Sequence, residues 1–331
     1  MPDHRQPSTT AIVVHFGSLS STERTLRSLD MHAPGVPVVV VDNDGALVQA
    51  TAERAVRGRF ALLSPGRNLG YGAACNLAAK SSVGEYLLFL NNDVELDPET
   101  LPRLREVLDR EPRVAAVAPR LRDASGRPVA SIGRAPTPRR ILFENLFLPR
   151  LFPGIAFFHG HHTARICHSR PRDVETLLGA VFLIRRAAFD EVGGFDERYF
   201  FFVEETDLFE RLRQRGWRIR FDPASMAIHH GGIASRDIDR QILDRWLDAG
   251  FRTYAREHHG PRGERRTVRA LYAGALLRWL LSHVQPGPAR LARRRRYSAI
   301  CAMYREELAA GRPPEGAQAS REEPPRPLSR K

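Results

Sequence analysis

Within the first hundred residues, four short apolar runs alternate with stretches of helical periodicity. The runs are Ala11–Phe16, Val36–Val41, Phe60–Leu63 and Glu85–Leu90. Between them, Ser20 and Glu23 read as a capping box before Leu26 and Leu29, and the alanine-rich stretch Gly70–Lys80 reads as a second helix. Pro98 stands at a plausible first helical position of a third, running to Arg110. Strands alternating with helices of about ten residues predict a parallel, doubly wound α/β sheet. Ligands of such sheets bind beyond the carboxyl ends of the strands. Asp42, Asn68 and Asp93 all lie at or just after such ends.

The rhythm breaks over residues 120–172, rich in Pro, Gly, Arg and His, which read as a long, partly irregular insertion. Order returns over Glu175–Arg185, with helices near Ala187–Val192 and Glu205–Arg215. Two short strands follow, Arg218–Phe221 and Met226–His229, and helical signals run from Ile238 to Ala310. The Pro-, Arg- and Glu-rich stretch from Gly311 predicts disorder.

Composition narrows the function classes. The chain has 331 residues, 42% of them apolar, so a large core is available. No apolar run reaches the ~18 residues of a membrane span. Met1–Thr10 lacks the apolar stretch of an export signal, and three scattered cysteines, Cys75, Cys167 and Cys301, form no disulfide framework. These features point to a reducing cytoplasm. The net charge of +13 is concentrated: residues 251–331 hold 18 Lys+Arg against 7 Asp+Glu, leaving +2 for residues 1–250. That asymmetry suggests an anionic partner for the C-terminal region, either membrane lipid or nucleic acid.

Three stretches carry chemistry. In Leu90–Val94, Asp93 follows a buried strand and can hold a hard divalent cation against a diphosphate; Asn-Asn-Asp is also ordinary turn chemistry. In Asn68–Asn76, Gly70 and Gly72 open a helix whose N-terminus can approach a phosphate, or simply make a tight turn. In Gly193–Asp207, Glu204, Glu205 and Asp207 follow an aromatic run. Carboxylates against apolar surface gain proton affinity, as a general base requires, while acids at a helix N-terminus also answer the macrodipole.

The order of these pieces resembles the inverting nucleotide-sugar glycosyltransferases of family 2, with the GT-A fold, and within them the bacterial rhamnosyltransferase-like branch. The matching stretches are Val40–Asn43, Asn68–Asn76, Phe89–Asp93, Gly179–Arg186, Val192–Glu197, Glu204–Asp207 and Ile228–Gly232, and the likeness covers about residues 8–236. It implies a Rossmann-like, mostly parallel central sheet over residues 10–236 behind a flexible 1–9. A helical, basic, membrane-associating region would follow over 237–310, with a disordered tail over 311–331. The resemblance implies that Asp42 reads the nucleotide base and that Asn68 and its turn line the donor pocket. His15, Asn43, Gly70, Asn76 and Asn92 join that pocket on the same grounds. Asp93 would be the metal-binding acid, with His229 completing the shell of a Mg²⁺ or Mn²⁺ ion and His230 as the neighbouring candidate. Asn91 replaces the first Asp of the family's Asp-x-Asp, and Glu205 stands where the family's base is normally Asp. Glu204 and Asp207 are the alternative bases.

The resemblance implies metal-dependent, inverting transfer from a nucleotide-sugar donor, dTDP-L-rhamnose first, to a lipid-linked saccharide in cell-wall or surface glycan synthesis. His159, His161, His162, Cys167 and His168 match no structural zinc pattern and read as an acceptor-side loop. Residues 267–297, with Trp279 and clustered arginines, read as an amphipathic hairpin at an anionic membrane surface, placing the protein peripherally on the inner face of the cell membrane. Two other classes stand beside this one. A glycosyltransferase-like binding module without a working base would explain Glu205. A nucleic-acid-binding protein would explain the charge but leave Asp93, Glu205 and His229 without a role.

Overall fold

The computed structural model describes residues 8–47, 55–161, 169–232, 238–284, 287 and 290–310. In chain order its elements are β1 (Thr9–His15), α1 (Leu19–His32), β2 (Val38–Asp42), β3 (Phe60–Leu63), α2 (Tyr71–Lys80), β4 (Tyr86–Asn91), β5 (Val94–Leu96), α3 (Thr100–Arg110) and β6 (Val114–Arg122). There follow β7 (Pro128–Val129), β8 (Ile132–Gly133), α4 (Pro138–Asn145), α5 (Leu148–Leu151), β9 (Arg172–Asp173), β10 (Thr176–Leu177) and β11 (Val181–Arg185). The last are α6 (Arg186–Glu191), α7 (Glu204–Gln214), β12 (Arg218–His229), α8 (Arg240–Val284) and α9 (Arg290–Ala310). Contacts divide these into two compact units, one drawn from 8–133 and 169–244, the other from 134–161 and 245–310.

The first unit is built on one sheet in the order β3-β2-β1-β4-β11-β6-β12-β5. The four strands expected from the first hundred residues form its parallel run, and β6 and β12 are also parallel. β11 enters antiparallel between β4 and β6. Alternate side chains divide the core, as a pleat of period two requires. Ala11 and Val13 pack with Leu26 and Leu29 of α1 and Leu104 of α3. Ile12 and Val14 pack on the opposite face with Ala74 and Ala78 of α2 and Leu208 of α7. Two adjacent arginines at the end of β11 then tie down helix ends. Arg185 donates to the carbonyls of Leu108, Glu111 and Val114 around the end of α3. Arg186 donates to those of Ala79, Ser82 and Gly84 after α2.

The sheet curls. β5 starts three residues after β4 ends yet lies four places away in the sheet, beside β12. Four strand spacings in a flat sheet are about 19 Å, whereas three residues reach about 10 Å. The free edge of β5 is satisfied by helix α1 instead of a strand: Val94 N–H donates to Thr25 Oγ1 and Leu96 N–H to Ser28 Oγ.

Several local expectations are corrected. The cap of α1 is Ser18, whose side chain accepts from the Ser21 amide, two residues before the Ser20 box. α3 begins at Thr100, beyond Pro98. The two short strands near 218 and 226 are one strand, β12, with an irregularity between Asp222 and Met226. β6 continues to Arg122, into the segment expected to be irregular.

In the second unit, α8 is broken at Gly260–Pro261, where Gly260 has a φ of 68° and Pro261 interrupts the ladder. Tyr304 on α9 donates to Asp248 on α8 at 2.5 Å, and Arg252 is paired with Asp248 and Glu307. Among the described residues, no helix is long and apolar enough to cross a membrane. Met1–Pro7, the whole 311–331 tail expectation, and His162, Cys167 and His168 lie outside the described residues.

Candidate active site

The sequence-derived site residues belong to the first unit and gather around the carboxyl ends of β1, β2 and β4. β2 ends at Asp42, and Asn43 N–H donates to the His15 carbonyl at the end of β1. The Asn43 side chain then organises the next turn: its Nδ2 donates to Asn68 Oδ1 at 2.8 Å and to the Gly70 carbonyl, while its Oδ1 accepts from Leu69 N–H. Asn68 Oδ1 also accepts from Gly70 N–H. Asn43 and Asn68 thus hold a loop that aims the N-terminus of α2.

His15 is fully buried. Its Nδ1 is hydrogen-bonded to Thr22 Oγ1 at 2.6 Å and its Nε2 lies 3.3 Å from Asp44 Oδ1. Thr22 Oγ1 in turn accepts from Asn92 Nδ2 at 3.1 Å. A buried polar chain therefore joins the 42–44 loop to the 92–93 loop. Burial raises the proton affinity of Asp42 above the ordinary carboxyl range, against the pull of His15 and of the Leu47 and Gly45 amides. Burial acts the same way on Asp44, but there the His15 hydrogen bond and the Gly17 amide outweigh it and the carboxyl stays below its usual range. His15, Asp42 and Asp44 present ligand-type atoms within 4.8 Å of one another. Their carboxylates already accept from Gly17, Gly45 and Ala46 N–H groups, which suits a positioning cluster.

Asp93 follows β4 and is 2% exposed. His229, at the end of β12 and in register with Val94, places Nε2 3.3 Å from Asp93 Oδ1. The His229 ring nitrogens are buried and carry no hydrogen bond. A carboxylate and an imidazole converging in this way fit a divalent cation such as Mn²⁺ or Mg²⁺. His230 turns elsewhere: its N–H donates to the Asp93 carbonyl and its ring contacts Glu95 at 2.6 Å.

The three acids of α7 occupy three environments. Glu204 is 4% exposed, and burial first, then the charge of Glu205, pushes its carboxyl well above the usual range. Asp207, 1% exposed, accepts from Arg211 Nε at 2.7 Å and from Tyr199 Oη at 3.4 Å, and Arg211 also donates to the Val192 carbonyl. Glu205 is half-buried. Burial raises its carboxyl too, while backbone amides of Glu205, Gly179 and Thr206 favour its anion. A Cβ on Gly179 would lie 3.3 Å from the Glu205 carboxyl carbon. The next residue, Ala180, accepts from Asn91 N–H at the end of β4. One short link therefore joins Glu205 to the strand end that carries Asp93.

Backbone strain sits immediately before these acids. Phe202 and Val203 both have left-handed φ, 71° and 73°, a genuine outlier for a β-branched side chain. The preceding Phe200 carbonyl accepts from Tyr71 N–H and presses on Gly70.

Two sequence-derived residues have structural partners in place of an open site. Asn76 donates to the Phe195 carbonyl and Glu197 and accepts from Phe195 N–H, pinning the 193–197 turn. Asn92 spends its amide on the Phe16 carbonyl and Thr22. Sequence reading had missed Asp44, Thr22 and Glu95. Asp44 sits two residues beyond Asp42 in the turn after β2, but a threonine on a helix gives no signal of a contact 70 residues away.

Comparison with known proteins bears on this geometry. The profile of glycosyl transferase family 2 matches residues 10–193, and that of the N-terminal domain of galactosyltransferase matches residues 159–230. An N-acetylglucosaminyl-diphospho-decaprenol L-rhamnosyltransferase of Mycobacterium tuberculosis is 33% identical over 232 residues, covering 66% of this chain and 75% of that one. An O-antigen biosynthesis protein of Myxococcus xanthus is 30% identical, over 77% of this chain and 20% of its own length. A mannosyltransferase from Pyrobaculum calidifontis, solved with GDP-Man and Mn²⁺, superposes with a TM-score of 0.52 at 16% identity. It covers 93% of this chain and 85% of its own, a likeness of fold.

Proposed function

The chain belongs to glycosyl transferase family 2, in its rhamnosyltransferase-like branch, and from that premise we propose an inverting, metal-dependent transfer with Glu205 as the base. The donor is dTDP-L-rhamnose and the acceptor a lipid-linked saccharide of surface or cell-wall glycan, met at the inner face of the cell membrane. The named rhamnosyltransferase relative supports both choices.

The observation that carries the reading is the shared strand end: Glu205 lies against Gly179, and Ala180 is hydrogen-bonded to Asn91, two residues before Asp93. Asp42 receives the base of the nucleotide, and the turn held by Asn43 and Asn68 lines the sugar-nucleotide pocket. Asp93 and His229 would hold the Mg²⁺ or Mn²⁺ ion, which when bound neutralises charge on the departing diphosphate. Glu205 takes the proton of the acceptor hydroxyl, whose oxygen attacks the anomeric carbon from the face opposite the diphosphate. One displacement inverts the centre. The neighbouring acids are poorly suited to that step, Asp207 being committed to Arg211 and Glu204 sealed from solvent.

The membrane reading has support in the second unit. Leu276, Leu280 and Val284 are exposed at helical spacing on α8, within the stretch expected to meet an anionic surface. The test of the function is Glu205→Gln with dTDP-L-rhamnose, a lipid extract and Mn²⁺, with and without EDTA. Transfer should vanish in the variant while dTDP binding persists. Near-native transfer by the variant would refute the base assignment, and transfer unchanged by EDTA would refute the metal.

A further inference from the structure

Residues 150–157, Arg-Leu-Phe-Pro-Gly-Ile-Ala-Phe, form an unbroken exposed run in which Arg150 is the sole charge. Leu151 is 65% exposed, Phe152 44%, Ile155 47% and Phe157 58%. Water-facing surfaces rarely carry consecutive large apolar side chains unless something covers them. The run is nonetheless built. Thr137 caps α4 with Pro138 at its start, and Phe143, Phe152, Phe157 and Phe158 stack on one another with ring centres 5.3–5.4 Å apart. Phe147, in left-handed backbone, turns the chain between α4 and α5. The phenyl cluster thus raises Leu151 and Ile155 outward.

Around its base stands a basic collar. The Arg139 guanidinium lies 5.0 Å from the Phe157 ring centre, Arg150 lies 5.7 Å from that of Phe147, and Arg278 lies 4.9 Å from the same ring. Arg139 and Arg150 are exposed and keep N–H donors for phosphate, whereas Arg278 donates to the Asn145 and Gly274 carbonyls and to Asn145 Oδ1 and braces the Phe147 ring. The charge of the whole unit points the same way: residues 134–161 and 245–310 hold 18 arginines against 6 acids, nearly all of the chain's +13.

We propose that the 151–157 run is a wedge that enters the headgroup and upper acyl region of an anionic bilayer, with Arg139 and Arg150 on the lipid phosphates. A second copy of this chain is disfavoured as occupant because it would bring the same positive charge. A nucleic acid would use the arginines but leave Leu151 and Ile155 in water. The proposal rests on the membrane reading above and adds the element that inserts.

The test is flotation of the full chain with vesicles of phosphatidylcholine, with or without phosphatidylglycerol. It compares the native protein with Leu151→Glu/Ile155→Glu, positions outside the phenyl cluster. Native protein should float with the anionic vesicles, and the double variant should lose affinity by at least about tenfold. Binding of dTDP, measured on both, should be equal. In Leu151→Trp, the indole emission should shift to the blue on anionic vesicles. Equal flotation of native and variant protein would overturn the wedge while leaving an electrostatic surface contact in place. Failure of the native protein to float would overturn both membrane readings. An unshifted indole, or a dimer that the double variant dissolves, would overturn the wedge as well. Loss of dTDP binding with flotation intact would count against the transferase reading alone.

Discussion

Gly70→Ala tests how the turn proposed to line the donor pocket is tied to Glu205, the proposed base. Gly70 has φ 81° and ψ 175°, a region open in practice to glycine alone. A Cβ there would stand 3.1 Å from the Phe200 carbonyl carbon and well inside contact of its oxygen. That oxygen also accepts the Tyr71 N–H, so it cannot retreat without loss. Backbone strain of about 1–3 kcal/mol, a clash of about 1–3 and a weakened hydrogen bond of about 0.5–1.5 together give about 2.5–7.5 kcal/mol. Gly66→Ala is the control. Gly66 also has positive φ, 75°, but nothing lies within 4 Å of its added Cβ. It should lose only about 1–2 kcal/mol. Urea unfolding followed by circular dichroism measures both. In folded Gly70→Ala, turnover should fall more than dTDP affinity, because the displaced Phe200 segment leads into Val203 and Glu205. Equal stability losses in the two variants would refute the steric argument. Unchanged turnover in Gly70→Ala would refute the link to the base.

His15→Ala leaves a cavity and strips Asp44 and Thr22 of a buried partner, so about 2–4 kcal/mol of stability should go, with dTDP affinity reduced; calorimetry reads both. Asp207→Asn removes one member of a buried pair and should cost about 2–4 kcal/mol in chemical unfolding. Because burial raises Glu205, the acid limb of the rate profile should lie above the ordinary glutamate range, rising with pH as the carboxyl ionises. For Glu204 the folded-state proton affinity exceeds the unfolded one, so the native state binds more protons, and stability is lost as pH rises through the folded pKa. Glu204→Gln should therefore raise the melting temperature at neutral pH and flatten its decline toward alkali.

Three strands of the parallel run, β1, β2 and β4, were legible because they are buried on both faces and read as apolar blocks; β3, at the sheet edge, is only partly buried but keeps an apolar run. The antiparallel insertion of β11 was not legible, since strand direction leaves no trace in composition. Asp42, Asp93 and the α7 acids were visible as polar residues at the ends of apolar runs. The different duties of Asn76 and Asn68 were not. Both are amides in one short motif, and only the distant partners, Phe195 for one and Asn43 for the other, separate them. The 150–157 run reads in sequence as part of an irregular insertion, because exposure of an apolar residue is a property of the folded surface.

The acids of α7 carry the strongest argument from environment to role. Glu204, Glu205 and Asp207 share one helical turn and one dipole, so the macrodipole cannot assign them different work. Their surroundings do. Asp207 meets the Arg211 guanidinium, which holds its position. Glu204 faces Tyr71 and Cys75 beneath the surface, where burial favours its proton. Glu205 alone combines raised proton affinity, backbone amides for its anion and partial access to solvent. It can receive a proton from an arriving hydroxyl and later release it. The left-handed Phe202 and Val203 fix where that turn begins, and one residue of slip would rotate the helix by about 100° and exchange the three environments. The strain at Val203 is therefore a cost tied to which acid lies against Gly179, the position proposed for the base.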